Sequence, residues 1–409
     1  MTRTVFCNAN LLDGDNAARK ADVVISGDRI ESVGSAPAEA RPGDRVIDLA
    51  GKTLMPGMIN GHFHAAYWGT GGGGGRPVGL EAHPSLQAIR AVHNMKTALD
   101  CGFTGAISAG APHQIDAALK AAVDEGTILG PRLIPGSRDV GTTGFSADMS
   151  NPSFLQIGAQ TGVTTADGPD GLRQVVRQEI KDGAEIVKFF LTGGHATGGT
   201  GEDWLMTEAE FAAGVEAAHQ RGAKTRAHLA SKESILLCVK LGVHIIDHGD
   251  GLDQECFGPL VESGTFLTPS LLFPKEMMMV MAGHPFADAM KQPWDEMAAV
   301  LPAASAAGVK LLVGDDYGAF TLTHGRYGEE MELYVRECGV PALEVLRWAT
   351  KHGAEAMGID AGIIEAGKLA DLVVVDGDPS ADIAVLKDRE KILAVFKGGM
   401  AVKDNLARA

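Results

Sequence analysis

The sequence predicts an α/β fold: a (β/α)8 barrel with a small β-sandwich domain formed by both termini. Three observations predict it. The chain has 409 residues, too long for one small core and short for three full domains, so one large barrel plus a modest second domain fits. Its middle alternates short Val/Ile/Leu runs with amphipathic helical stretches such as 171–181 and 208–221, the pattern of a parallel sheet with crossover helices. Both ends consist of apolar runs broken by turn dipeptides, which read as hairpins.

The N-terminal part of the sandwich is expected over residues 1–55. There Val23-Val24-Ile25 runs into Ser26-Gly27-Asp28, and Val46-Ile47-Asp48-Leu49 into Ala50-Gly51-Lys52. The barrel is expected over 56–358, with strands at 54–60, 103–107, 133–136, 186–191, 224–228, 243–248, 265–268 and 309–314. The C-terminal part of the sandwich is expected over 359–409, where 372–375 leads into Asp376-Gly377-Asp378-Pro379. An open doubly wound sheet is the competing layout, but it usually carries a phosphate-binding glycine turn after its first strand. The glycine run 71–75 has no Lys-Ser/Thr after it and reads as a loop at the barrel mouth. Three long insertions, 65–84, 137–169 and 192–206, follow strands one, three and four. They leave the C-terminal ends of the strands, where such barrels build active sites.

Composition narrows the function. Formal net charge is −16, which argues against nucleic acid and anionic membrane surfaces as partners. The five cysteines, Cys7, Cys101, Cys238, Cys256 and Cys338, have no CxxC spacing, so reduced thiols of a cytoplasmic protein are expected. The opening residues lack the apolar core of a signal peptide, and no stretch approaches the roughly 20 apolar residues of a spanning helix.

The candidate chemistry lies at strand ends. His62 and His64 close the first strand two residues apart, so both rings can face one metal. Lys188 stands among apolar residues in Ile186-Val187-Lys188-Phe189-Phe190. A buried ammonium needs a partner or a modification, and carboxylation would turn it into an anion able to bridge two cations. His228 and His248 end the fifth and sixth strands and suit a borderline metal. Asp315 and Asp316 close the eighth, where a carboxylate can ligate metal and move a proton. HxH alone is a weak signal; the whole set on strand ends is improbable by chance.

With these residues the chain resembles the amidohydrolase superfamily, in its imidazolonepropionase-like and Xaa-Pro dipeptidase-like branch. The resemblance rests on Pro56-Gly57-Met58-Ile59-Asn60-Gly61-His62-Phe63-His64, Gly130-Pro131-Arg132, Ile246-Asp247-His248-Gly249 and the closing Gly367-Lys368-Leu369-Ala370-Asp371-Leu372. It implies a metal-dependent hydrolase holding two divalent metal ions, Zn2+ foremost, with Mn2+, Fe2+ or Co2+ also suited. His62 and His64 would hold the first, N6-carboxylysine at Lys188 would bridge, and His228 and His248 would hold the second. Asp316 would be ligand and catalytic proton carrier, with Asp315 in the family's threonine or serine place. The substrate implied is a small molecule and the scissile bond an amide-type C–N bond, with a hydrophobic or aromatic N-acyl amino acid or amide, aryl amide, urea or carbamate as candidates. Cyclic-amide hydrolysis of the imidazolonepropionase type is the alternative, and a catalytically silent scaffold the alternative of another class. Assembly into a homo-oligomer is also implied. Two departures weaken a dipeptidase reading. The segment Gly141-Thr142-Thr143-Gly144-Phe145 lacks the family's histidine, and Ala106-Ile107-Ser108-Ala109 lacks an acid. For substrate contacts the candidates are His195, Phe145, His324 and Tyr317, and Tyr67, Trp68, Phe273 and the Met277–Met281 cluster could line an apolar pocket.

Overall fold

Pro56 and Gly57 divide what reads as one apolar strand into two. The structure, a computed structural model, describes residues 3–34, 38–71, 78–148, 161–195, 197 and 199–406. Instead of one strand over 54–60 there are Thr53–Pro56 in the terminal sheet and Met58–Phe63 in the barrel. Gly57 N–H turns aside to donate to Asp371 O at 2.8 Å. A Cβ on Gly57 would lie 2.1 Å from Thr104 Oγ1, so only glycine lets the two strands hinge there.

The first barrel strand pairs in parallel with Phe103–Ser108, and that with Arg132–Ile134. The third strand then breaks at Pro135, which has no N–H for a ladder. Its second half, Gly136–Gly141, pairs with Ile186–Phe190. Lys224–Leu229, Ile245–His248, Phe266–Thr268 and Lys310–Leu311 follow in order, all parallel. Gly61 N–H donates to Val313 O at 2.7 Å, which joins the first strand to the end of the eighth and closes the (β/α)8 barrel. The expected insertion 137–169 is thus partly barrel wall, and Val163–Thr165 adds a parallel strand along Gly136–Gly141. Residues 149–160, Ala196 and Gly198, and the expected glycine loop beyond Gly71, lie outside the described residues.

Strands from both termini form one eight-stranded sheet. Thr53–Pro56 pairs with Arg3–Leu11 on one side and Leu372–Val375 on the other, which ties the two ends together. Phe6 and Phe396 meet edge to face with centroids 5.1 Å apart. In a flat sheet their strands would stand three spacings apart, about 14 Å, so the sheet folds over into a small sandwich. Leu372 and Val374 point into that core while Val373 and Val375 join the barrel core, as period two requires. Among the described residues, no helix is long and apolar enough to cross a membrane.

Candidate metal centre

His62 lies within Met58–Phe63 and His64 one residue beyond it. Their Nε2 atoms stand 3.2 Å apart. Asp316 Oδ1 is 3.0 Å from the Nε2 of His62 and 3.4 Å from that of His64. The other ring nitrogens face acceptors: His62 Nδ1 is 3.0 Å from Asp247 Oδ1, and His64 Nδ1 is 2.9 Å from Gly110 O. Each Nδ1 therefore keeps the proton and each Nε2 presents a lone pair. Two lone pairs at that distance repel unless a cation lies between them, so the arrangement fits a metal ion.

The second group has a different backbone. His248 ends its strand at φ 70° and His195, in the loop after the fourth strand, sits at φ 43°. Both are in the left-handed region, where a non-glycine residue is strained. Their rings stack at 3.8 Å and 16°. His195 Nδ1 lies 2.7 Å from Asp250 Oδ1. His195 Nε2 and His248 Nδ1 are buried with no hydrogen-bond partner among the described residues. One nitrogen of each ring and one Asp316 oxygen lie within 4.8 Å of one another. Buried polar atoms left this way normally answer to a missing group, and two imidazoles with a carboxylate suit a transition metal.

His228 stands beside His248, with ring centroids 4.6 Å apart. Its ring stacks on Phe190 at 4.5 Å, and its Nε2 faces Gly194 O at 3.2 Å. The nitrogen left for a metal is Nδ1. Burial holds the His228 and His248 imidazoles well below the usual histidine range, which keeps both neutral. Burial also opposes protonation of His195, but the Asp250 carboxylate outweighs it and raises its pKa.

Lys188 points inward, and its Nζ donates to Asp247 Oδ2 at 2.6 Å. Arg226, its register neighbour on the fifth strand, donates from Nε to the same oxygen at 2.9 Å and from Nη2 to Asp247 Oδ1. Arg226 Nη2 also lies 3.2 Å from His62 Nδ1, where the carboxylate is the acceptor. Burial pushes the Asp247 carboxyl up, but Arg226, Lys188 and His62 together hold it well below the usual range. Asp247 and Arg226 are absent from the residues singled out in the sequence. Period two could have found Arg226, which shares a strand face with His228.

The adjacent aspartates differ. Asp315 is fully buried and accepts from the backbone N–H groups of Leu272 and Phe273 at 2.7 and 3.2 Å; burial, then Glu330 and Asp316, raise its pKa well above the carboxylate range. Asp316 is also raised by burial, but His62 and His64 hold it well below that range. Asp316 faces the histidines and Asp315 braces the loop.

Three expected substrate contacts have other partners here. Tyr317 is fully buried and donates its hydroxyl to Glu330 at 2.8 Å. His324 has Nδ1 at 2.9 Å from Tyr327 OH and Nε2 at 3.2 Å from His64 O; burial pushes its pKa down to about 3. Phe145 packs on Phe190 at 5.4 Å, behind His228. Phe273 and Met277 belong to the core, and Tyr67 stacks on His64 at 4.0 Å. The cavity next to the centre, about 410 Å³, is lined instead by His195 with Leu271, Pro274, Phe286, Met290 and Trp294.

Known proteins are similar to this chain along most of its length. The chain is 25% identical to ochratoxinase of Aspergillus niger, over 98% of this chain and 86% of that one. It is 26% identical to imidazolonepropionase of Cutibacterium acnes, over 87% and 83% of the two chains. A crystal structure of a prolidase complexed with N-methylphosphonate-L-proline is 30% identical, with TM-score 0.86, covering 98% of this chain and 100% of that one. The amidohydrolase family pattern matches residues 53–402. The chain therefore belongs to the amidohydrolase family, as a hydrolase acting on carbon–nitrogen bonds.

Proposed function

We propose that this hydrolase is a metal-dependent enzyme that cleaves the amide C–N bond of a hydrophobic or aromatic N-acyl amino acid or amide, with aryl amides, ureas and carbamates in the same class. His62, His64, His228, His248 and Asp316 would hold two divalent metal ions, zinc foremost. Lys188 would complete the set as N6-carboxylysine; a carbamate keeps one N–H, enough to retain its bond to Asp247. A bound divalent ion lowers the pKa of water and polarises a carbonyl.

The protein's own residues supply the rest. Asp247 fixes the His62 tautomer, so that Nε2 faces the centre. Asp316 accepts a proton from the attacking water on its carboxylate and gives it to the departing nitrogen. The apolar wall of Leu271, Phe286 and Trp294 excludes water from one side of the substrate and favours an apolar group there.

The observation that carries this reading is the convergence of buried imidazoles on Asp316, His62 and His64 on one side and His195 and His248 on the other. A hydrolysis panel of N-acyl amino acids, aryl amides, ureas, carbamates and lactams tests it on protein of known metal content. Turnover of an open-chain amide that is lost on chelation supports it. Turnover confined to lactams would replace it with cyclic-amide hydrolysis.

A further inference from the structure

Tyr67 stacks on His64 and also lines a second cavity, of about 330 Å³, to which no residue of the metal centre contributes. Its walls are the loops after the first and eighth strands, the helix Pro84–Asp100, and Arg389, which precedes the strand Ile392–Lys397 of the terminal sheet. The two loops are fused: Thr70 N–H donates to Gly318 O at 2.9 Å, and Phe320 N–H donates to Thr70 O at 2.8 Å. Much of the wall is aromatic. The exposed Trp68 indole meets the His93 ring at 5.6 Å. Phe320 is held at φ 47°, a left-handed backbone that is costly for a non-glycine residue and recurs at ligand clamps.

Arg389 is the permanent charge of this lining, and no carboxylate shares it. It forms no ion pair among the described residues. Its side chain is placed: a Cβ on Gly325, which has φ 96°, would collide with Arg389 Nη2 and lie 3.2 Å from Thr97 Cγ2. Thr97 also lines the cavity. The guanidinium therefore sits in the cavity wall, in a cradle that glycine leaves open. Its other neighbour is the Cys101 thiol, which burial pushes up to about 11 against the opposing pull of Arg389. At neutral pH that thiol is uncharged and no counterion. Arg90, 5.3 Å over the Trp68 ring, has no ion-pair partner among the described residues either. A chain of net charge −16 thus keeps two arginines beside one aromatic cavity without a carboxylate to neutralise them.

We infer that this cavity is a second small-molecule site, for a planar aromatic carboxylate. The ring lies against Trp68 and Phe320, and the carboxylate takes the guanidinium fork of Arg389. The inference does not rest on the amide-hydrolase reading, because it uses no residue of the metal centre. A forked pair at a cavity wall, partly screened by solvent, contributes roughly tenfold in affinity.

Isothermal titration calorimetry of the metal-loaded enzyme tests it with 2-naphthoate against 2-naphthylmethanol, two probes that share the ring and differ in charge. Naphthoate should bind about tenfold tighter at low salt. That preference should vanish in Arg389→Gln and shrink in Arg389→Lys, which keeps the charge but not the planar fork. Naphthylmethanol should bind both variants as it binds the unaltered protein. A preference that survives in Arg389→Gln, or is untouched in Arg389→Lys, would place the carboxylate elsewhere, on the metal centre, and overturn the site. Equal affinities in the unaltered protein, or no binding of either probe, would overturn it as well.

Discussion

His62 and His64 reach the centre from one strand edge, and both anchoring nitrogens are satisfied, by Asp247 and by Gly110 O. His195 and His248 reach it from left-handed backbone, and each keeps a buried nitrogen that no described group satisfies. The first half is organised by strand register before any cation arrives. The second half holds strain and unmet hydrogen-bonding capacity, each worth about 1–3 kcal/mol against folding. Such costs persist where a bound group offsets them. The comparison teaches that one side of the centre is a template and the other responds to what it binds.

Replacing His62 by Ala should have the largest effect on activity. It removes a lone pair from the template, so amide hydrolysis should fall by more than the roughly 100-fold that losing an orienting partner costs. Metal content after gel filtration should fall with it. Retained turnover with bound metal would break the template half of the comparison.

Asp247→Asn should have the largest effect on stability. It frees the His62 tautomer and leaves Arg226 as a buried cation without its carboxylate. Breaking a buried pair from one side costs about 3–5 kcal/mol, to be read from urea unfolding. Metal affinity should drop about 10- to 100-fold. An unchanged urea midpoint would show that the buried charge finds another partner.

Metal removal should separate the two halves directly. Hydrogen exchange after chelation should rise at 192–195 and 245–250 and change little at 58–63, where the ladder to Phe103–Ser108 persists. Equal changes on both sides would erase the distinction.

The smallest effect lies away from the centre and serves as its control. Burial lowers the His244 pKa from 6.5 to about 4, against the bond of its Nε2 to Ala356 O. Between those values the unfolded chain binds more protons than the folded one, so stability falls as pH drops from 6.5 toward 4. His244→Gln should flatten that part of a pH series of urea midpoints. An unchanged slope would place the acid sensitivity elsewhere.

Much of this architecture is legible in the sequence because it rests on local periodicity. His62 and His64 share a strand face, and His228, His248 and Asp316 follow other strands of one barrel, so parallel order alone brings them to one end. What escapes is set by contacts across strands. Asp247 would alternate away from its neighbour His248 in a regular strand, and the left-handed turn at His248 breaks that alternation. Arg226 looks like a solvated cation until its partners, Asp247 and Ser108 O, are seen. Tyr317 and His324 are polar residues near the right strand end, but Glu330 and His64 O, residues distant in sequence, take up their polar atoms. The break at Pro135 hid half of the third strand inside an apparent loop.

The most direct test of the central claim is the rate of amide hydrolysis before chelation, after chelation and after zinc is restored, with metal content measured at each stage. Activity should vanish with the metal, return with it, and fail to return in His62→Ala. Full activity in metal-free protein would contradict the account.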